Sequence, residues 1–177
     1  MPKIIVSPLS AVPMAAALYK PSHVVTLLGP TADPVIVEGI GSDDHLRLQF
    51  NDITAAMTGL ICPSAEHVEG LMTFIQRWPR KSPILIHCWA GISRSTAAAY
   101  AALCAHRPEE DELVLAMRLR QASPTATPNR LIVAYADDIL GRRGRMVDAL
   151  DQIGRGREAV QGEVFMLDVN TAEIKTA

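Results

Sequence analysis

At 177 residues the chain is long enough for one domain with a substantial core and too short for two of ordinary size. Apolar residues make up 49% of it and charged residues 20%, which excludes an intrinsically disordered chain. The net charge of −2 provides no basic field for nucleic acid or an anionic membrane. The cysteines are too few for a disulfide framework and favour a reducing, cytoplasmic location: Cys62, Cys88 and Cys104.

Residues 1–20 carry one lysine and some apolar content, so a secretion signal has to be considered. Pro8 and Pro13 interrupt any continuous apolar helix there, and Ile4-Ile5-Val6 is typical of a strand. These features disfavour secretion. The longest apolar stretch elsewhere, residues 96–105, is far shorter than a membrane span, so no membrane association is expected.

Four short runs rich in β-forming residues predict strands at residues 4–6, 23–28, 46–50 and 84–87. The second and fourth runs are almost continuously apolar, as strands buried on both faces of a sheet are. The third alternates between apolar and polar residues, which fits a sheet edge or one solvated face. A last stretch, residues 163–169, fits either an edge strand or a partly ordered tail.

Helices are predicted between and after these strands, at residues 64–78, 93–106, 109–121, 129–140 and from 142 to the glycine-rich break at 154–156. This order predicts an α/β domain with a central, mainly parallel sheet of four or five strands flanked by helices, and a helical C-terminal part. We expect residues 1–141 to form the core. Residues 142–177 are then a C-terminal helix and tail packed on the same domain.

One stretch combines the features of a reactive site: His87-Cys88-Trp89-Ala90-Gly91-Ile92-Ser93-Arg94-Ser95. A buried strand ends at Cys88, and an alanine-rich helix begins a short loop later. A cysteine in this position meets the positive end of the helix dipole, which favours the reactive thiolate. Inward-pointing N–H groups of such a loop suit phosphate oxygens, and Gly91 permits a positive φ and close backbone approach.

The neighbours of Cys88 fit the same chemistry. Arg94 follows it by six residues, and its planar guanidinium can hold two phosphoryl oxygens at once. Ser95 is placed to hydrogen-bond the cysteine sulfur and ease its departure when a phosphoenzyme is hydrolysed. We expect His87 to brace the loop by hydrogen bonds rather than to transfer protons.

The motif His-Cys-x-x-Gly-x-x-Arg-Ser after an apolar strand resembles the signature of the protein tyrosine and dual-specificity phosphatases, with a bacterial dual-specificity type the nearest in appearance. The resemblance is most specific over residues 83–98 and looser over residues 46–140. It implies that Cys88 is the nucleophile, Arg94 the phosphate clamp and Ser95 the hydroxyl that aids the second step. It also implies a phosphate cradle formed by Trp89, Ala90, Gly91, Ile92, Ser93 and Arg94, with no metal and no cofactor. Asn129 resembles, weakly, an asparagine in a later helix of dual-specificity members.

A phosphocysteine mechanism needs a proton donor for the leaving oxygen, and the family uses an aspartate on a separate loop. The aspartates upstream of the motif are Asp33, Asp43, Asp44 and Asp52. If the strand at 46–50 is parallel to the one ending at His87, Asp52 lies at the carboxyl edge beside Cys88. Asp43 and Asp44 then lie at the opposite edge, roughly 20 Å away. The catalytic prediction is Asp52, against the alternative that it caps a following turn.

Several other residues are assigned lesser roles. Cys104 follows Cys88 by 16 residues along a helix, too far for a direct disulfide, whereas Cys62 is a candidate redox partner. The histidines away from the motif are expected to be structural or exposed: His23, His45 and His67. The C-terminal arginines are interpreted as a solvated helix face, with an anion contact only if the helix packs near the loop: Arg142, Arg143, Arg145, Arg155 and Arg157.

The expected substrate is a phosphorylated protein or small phosphoester, with phosphotyrosine and also phosphoserine or phosphothreonine as targets. Trp89, Ala90 and Ile92 are uncharged, whereas members of the family that act on phosphoinositides tend to carry lysines there. No counterpart of the long loop that deepens a phosphotyrosine pocket is recognisable, so a compact dual-specificity site is expected, with Trp89 at its wall or behind it. Two alternatives remain: an inactive phospho-ligand binding module, and a cysteine-based sulfur- or arsenate-transfer enzyme.

Overall fold

A computed structural model describes residues 2–170. The elements in chain order are β1 (Lys3–Pro8), α1 (Val12–Tyr19), β2 (His23–Leu28), β3 (His45–Gln49), α2 (Ala65–Arg77), β4 (Ile84–Cys88), α3 (Arg94–His106), α4 (Glu112–Ala122), α5 (Arg130–Ile139), α6 (Arg145–Ile153) and β5 (Phe165–Asp168). Short 3₁₀ helices at Leu9–Ala11 and Ser42–Asp44 precede α1 and β3. The end of the predicted C-terminal tail, residues 171–177, lies outside the described residues.

The strands form one sheet in the order β3-β2-β4-β1-β5. The three pairings within β3-β2-β4-β1 are parallel, and β5 pairs antiparallel with β1, placing Leu167 opposite Ile4. The predicted α/β fold with a mainly parallel sheet is therefore confirmed. Of the two interpretations of residues 163–169, the edge strand is the one observed, over Phe165–Asp168.

Apolar side chains alternate between the two faces of this sheet, because neighbouring residues of a strand point to opposite sides. Ile4 and Val6 pack in the larger core, against the helices that follow β3. Ile5 faces the other side, where it packs with Val12 and Ala15 of α1. The central strands are thus covered on both faces, as their continuous apolar sequences predict.

Helix α1 was not predicted, because Pro13 was interpreted only as a helix breaker. Pro13 lies in the first turn of α1, where its missing N–H has no helical acceptor to lose. The helix ends at Lys20, which has the left-handed φ of 47°. The interruption expected at Pro13 is in fact the beginning of a helix.

The interpretation of the C-terminal arginines as a solvated face is wrong for Arg142. Its side chain is only 5% exposed, and it donates to the Glu112 carboxylate at 2.7 Å and to the Cys104 carbonyl at 2.7 Å. Burial alone would raise the pKa of Glu112, but hydrogen bonds from Arg145 and Arg142 lower it overall. This ion pair joins α4 to the segment between α5 and α6.

Helix α2 connects β3 to β4 and so determines where the loops after these two strands lie. Ser64 caps α2, with its hydroxyl accepting from the His67 N–H at 3.3 Å, so His67 has the structural role expected of it. The helix links β3 to β4, and both strands are parallel to β2, which lies between them. The carboxyl ends of β3 and β4 therefore lie at the same edge of the sheet.

Candidate active site

The loop from β4 to α3 is held tightly against the end of β1. Gly91 has a φ of 70°, and a Cβ atom there would lie 2.7 Å from the Pro8 nitrogen, so no other residue fits without displacing the backbone. Next to it, the Leu9 N–H donates to the Trp89 carbonyl at 3.1 Å. The loop geometry that the motif predicts at Gly91 is thus present and sterically fixed.

Cys88, the last residue of β4, contacts Ser95 in the first turn of α3. The Cys88 sulfur is 3.1 Å from the Ser95 hydroxyl, and the cysteine is only 2% exposed. Ser93, the N-cap of α3, makes no side-chain cap hydrogen bond. Its hydroxyl instead donates to Asp52 Oδ1 at 2.8 Å, which leaves the first-turn N–H groups of α3 without a side-chain acceptor. An oxyanion beside Cys88 is the natural partner for such groups.

Arg94 is a buried cation whose guanidinium is only partly hydrogen-bonded. Its Nη1 donates to the Phe50 carbonyl at 2.8 Å. Its Nε has no hydrogen-bond partner within residues 2–170, although Asp52 Oδ2 lies 3.9 Å away. A buried N–H without an acceptor costs free energy, and a phosphoryl oxygen would remove that cost.

Asp52 lies just beyond the carboxyl end of β3, at the edge where Cys88 lies. Its Oδ1 accepts from Ser93 Oγ and from Asn129 Nδ2, each at 2.8 Å. Neither donor is a backbone N–H of residues 53–55, so these two bonds are not those of a turn cap. The preceding residue, Asn51, closes the loop that follows β3 by two hydrogen bonds to Ile61. Its N–H donates to the Ile61 carbonyl at 2.8 Å, and its side-chain oxygen accepts from the Ile61 N–H at 2.9 Å.

Asn129 has a more central place than the weak sequence match indicated. Its side-chain oxygen caps α5 by accepting from Leu131 and Ile132, while its Nδ2 donates to Asp52. Its backbone N–H donates to the Ser93 carbonyl at 3.2 Å. Asn129 thus joins α5 to the Asp52 loop and to the loop from β4 to α3. The signal in the sequence is an N-cap residue between a proline and an apolar helix.

The His87 side chain makes a hydrogen bond across the sheet to β2, and its expected role in bracing the loop stays a prediction. Its Nε2 lies 2.7 Å from the Thr26 hydroxyl of β2, and the same hydroxyl lies 2.8 Å from His45 Nε2. A hydroxyl has one proton, so it donates to one imidazole and accepts from the other. Burial, with the neighbouring His45, lowers the pKa of His87 to about 4, and burial with Arg47 lowers the pKa of His45 to about 4. The bond braces β4 against β2.

The other upstream aspartates make no contact with Cys88 or Arg94 among the hydrogen bonds and ion pairs of the described residues. Asp43 and Asp44 fall in the 3₁₀ helix before β3, and Asp44 lies 3.3 Å from His23. Asp33 lines a cavity of about 520 Å³ together with Trp89, whose side chain is 67% exposed. Trp89 is therefore exposed beside Asp33, and its place at the wall of the site or behind it stays a prediction.

The other two cysteines are free thiols. Cys104 is buried in α3, and burial raises the pKa of its thiol to about 12. Cys62 is half-buried in the segment before α2, and a redox role for it stays a prediction.

A second cavity, of about 840 Å³, opens beside Asp52 and Ser93. Arg155 and Arg157, which were expected to lie on a solvated face, also line this cavity. The glycines at 156 and 162 were the available sign that this segment packs closely against the rest of the molecule.

Within residues 2–170 no cluster of three or more His, Cys, Asp or Glu side chains is arranged to hold a metal ion. None of the helices in that range is long and apolar enough to cross a membrane.

No family model and no curated protein sequence matches the chain. Solved structures do match. The PTP-2 phosphatase of Cydia pomonella aligns at 18% identity over 76% of this chain and 84% of its own, with a TM-score of 0.59. DUSP15 aligns at 16% identity over 86% and 94%, with a TM-score of 0.59. Tk-PTP in its active form aligns at 21% identity over 79% and 92%, with a TM-score of 0.57.

These likenesses show that the chain has the α/β fold of the protein tyrosine and dual-specificity phosphatases. The resemblance inferred from the His87–Ser95 motif is thereby confirmed at the level of the fold.

Proposed function

We propose that the chain is a phosphatase that hydrolyses phosphate monoesters through a phosphocysteine intermediate. Cys88 is the nucleophile, Arg94 and the loop backbone bind the phosphoryl oxygens, and Asp52 is the acid. The observation that carries this proposal is the buried Arg94 Nε–H, without a partner among the described residues, beside the Cys88–Ser95 pair. The fold shared with known phosphatases supports it.

In the first step the Cys88 thiolate attacks phosphorus, so that an S–P bond forms and the P–O bond to the leaving group breaks. The Arg94 guanidinium and the first N–H groups of α3 stabilise the charge on the phosphoryl oxygens. Asp52 donates its proton to the leaving oxygen. Since Ser93 and Asn129 hold Oδ1, Oδ2 is the oxygen left to carry that proton.

In the second step a water molecule attacks the phosphocysteine and the S–P bond breaks. The Asp52 carboxylate accepts a proton from the water, which restores the acid for the next turnover. The Ser95 hydroxyl, 3.1 Å from the sulfur, donates a hydrogen bond to the departing Cys88 thiolate. The products are inorganic phosphate and the free enzyme.

The substrates we propose are phosphotyrosine and phosphoserine or phosphothreonine, in proteins or small phosphoesters. The loop side chains Trp89, Ala90 and Ile92 supply no charge, so they offer nothing to phosphates next to the one that is cleaved. Trp89 is exposed and is available to pack against an aromatic ring. Strict phosphotyrosine selectivity in kinetics with phosphotyrosine and phosphoserine peptides would contradict the proposed compact site.

Turnover of para-nitrophenyl phosphate tests the activity, with Cys88→Ser as the matched variant. We expect release of para-nitrophenol by the wild type and none by Cys88→Ser, which keeps the shape of the loop but lacks the thiolate. An inert wild type that still binds phosphate would favour the phospho-ligand binding module. Turnover that survives in Cys88→Ser would rule out the proposed mechanism.

A further inference from the structure

The segment between α6 and β5, residues 154–162, crosses the edge of the candidate site, and we call it the strap. At its N-terminal end the Gly156 N–H donates to Thr127 Oγ1 at 3.2 Å and the Arg157 N–H to the Pro124 carbonyl at 2.8 Å. At its C-terminal end the Gly162 N–H donates to the Ala90 carbonyl of the loop at 2.8 Å. The strap is therefore attached to the same loop that presents Cys88.

Close packing fixes the path of the strap. A Cβ atom at Gly156 would lie 2.5 Å from the Ala126 carbonyl oxygen, and one at Gly162 would lie 3.0 Å from the Gly91 carbonyl oxygen. The Arg120 guanidinium donates to the Gly154 carbonyl at 2.8 Å and to the Ala126 carbonyl at 3.0 Å. Backbone and glycines thus fill the inner side, and the longer side chains are left on the outer side.

Two of those side chains give one wall of the 840 Å³ cavity a positive charge. Arg155 and Arg157 are exposed, and within residues 2–170 no carboxylate oxygen lies within 4.0 Å of either guanidinium. The other arginine of the cavity, Arg130, is already paired with Asp151. Glu158, which also lines the cavity, forms no ion pair with them.

We infer that Arg155 and Arg157 form a second anion-binding subsite beside the phosphate loop. Its ligand is a second phosphorylated or acidic side chain on the same substrate polypeptide, a few residues from the phosphoresidue that is cleaved. The inference rests on the proposed function for what occupies the loop itself.

The position of the charges favours a polypeptide over a lipid headgroup. Phosphates on one inositol ring are close neighbours, and a site for them needs cations inside the loop, where Trp89, Ala90 and Ile92 are uncharged. The arginines instead line the cavity that also includes Asp52 and Ser93, outside the loop itself. The apolar Val160 lines the same cavity, is 98% exposed and suits contact with a peptide side chain.

Binding to the Cys88→Ser variant tests the subsite without hydrolysis. The probes are a peptide with one phosphotyrosine, and the same peptide with an added phosphoserine two or three residues to either side. We expect one of the doubly phosphorylated peptides to bind about tenfold more tightly than the singly phosphorylated one. The added substitutions Arg155→Gln and Arg157→Gln should remove that preference.

The control adds Arg77→Gln and Arg143→Gln, two exposed arginines outside the cavity, so that the net charge is the same. It should keep the tenfold preference. Equal binding of all peptides, or a preference that survives without Arg155 and Arg157, would overturn the inference. So would Arg155- and Arg157-dependent binding to phosphatidylcholine vesicles carrying a phosphatidylinositol bisphosphate, without peptide selectivity. Selective peptide binding by a wild type that does not turn over phosphoesters would keep the subsite and reject the proposed function.

Discussion

At the scale of single residues, the placement of Asp52 decides how the site works. Two donors, Ser93 Oγ and Asn129 Nδ2, fix one carboxyl oxygen, and the Arg94 Nε lies 3.9 Å from the other. A general acid is effective only when its proton is directed at the leaving oxygen, so these contacts set the orientation before any substrate binds.

Replacing the acid should affect poor leaving groups most. We expect Asp52→Asn to lower kcat/KM, which reports the first step alone, about 100-fold or more with an alkyl phosphate. The loss should be much smaller with para-nitrophenyl phosphate, whose leaving group needs little protonation. Asp43→Asn, at the opposite edge of the sheet, is the matched control and should behave like the wild type. Full turnover of the alkyl phosphate by Asp52→Asn would show that another residue is the acid.

Asn129 offers a test of positioning as distinct from catalysis. Asn129→Asp keeps the oxygen that caps α5 but removes the amide that donates to Asp52. We expect kcat for an alkyl phosphate to fall about tenfold or more, and the basic limb of its pH profile to move, while the melting temperature changes little. An unchanged pH profile would mean that Asn129 acts only as the N-cap of α5 and does not position Asp52.

The buried pair His87 and His45 predicts how stability depends on pH. Each has a folded-state pKa of about 4, below the ordinary value of 6.5, because burial disfavours the imidazolium. The unfolded chain then binds more protons as the pH falls through about 6.5, so the free energy of unfolding decreases from there towards about pH 4. Chemical denaturation between about pH 7 and pH 5 measures how the free energy of unfolding changes with pH. This pH range lies above that in which carboxylates titrate.

The matched variant for that measurement is His45→Gln. We expect a shallower loss of stability between about pH 7 and pH 5, because one of the two depressed imidazoles has been removed. An identical slope in the variant would mean that His45 does not titrate as its buried position implies.

At the scale of elements, the strap and the edge strand β5 both help to hold the loop that contains Cys88. β5 pairs with β1, whose C-terminal end packs on Gly91, and the strap bonds to Ala90 of the same loop. The loop that holds Cys88 is thus fixed from β1 on one side and from the strap on the other.

Displacing the strap should alter selectivity more than chemistry. A valine at position 156 would place its Cβ 2.5 Å from the Ala126 carbonyl oxygen, so the strap has to move. We expect Gly156→Val to cost about 1–3 kcal/mol of stability and to weaken the preference for doubly phosphorylated peptides. Gly70→Val, in α2 with open space around its Cβ, is the control. Unchanged peptide selectivity in a destabilised Gly156→Val would mean that the path of the strap does not place the arginines.

At the scale of the whole molecule, the sequence predicted the parts that depend on local patterns. The strand–loop–helix around Cys88 and the edge position of Asp52 followed from apolar runs and strand direction. The contact of Thr26 with His87 did not, because a single threonine in an apolar strand gives no sign of its partner. The strap was missed for a different reason: tertiary packing of Gly156 and Gly162 brings Arg155 and Arg157 to the cavity beside Asp52, and the sequence does not show what those glycines pack against.

Some predictions remain open at this scale. The division of the chain at residue 141 stays a prediction, although β5 pairs with β1 and Arg142 is buried against Glu112. The roles of Cys88, Arg94, Asp52 and Ser95 await kinetics.

The most direct test of the central claim is to trap the phosphoenzyme. Acid quenching during turnover of para-nitrophenyl phosphate, followed by mass spectrometry of peptides, locates any covalent phosphate. We predict phosphate on Cys88 and on no other residue, with more of it in Ser95→Ala, where the thiolate leaves without a hydrogen bond. Phosphate on a different residue, or steady turnover by a Cys88→Ala variant, would contradict the account.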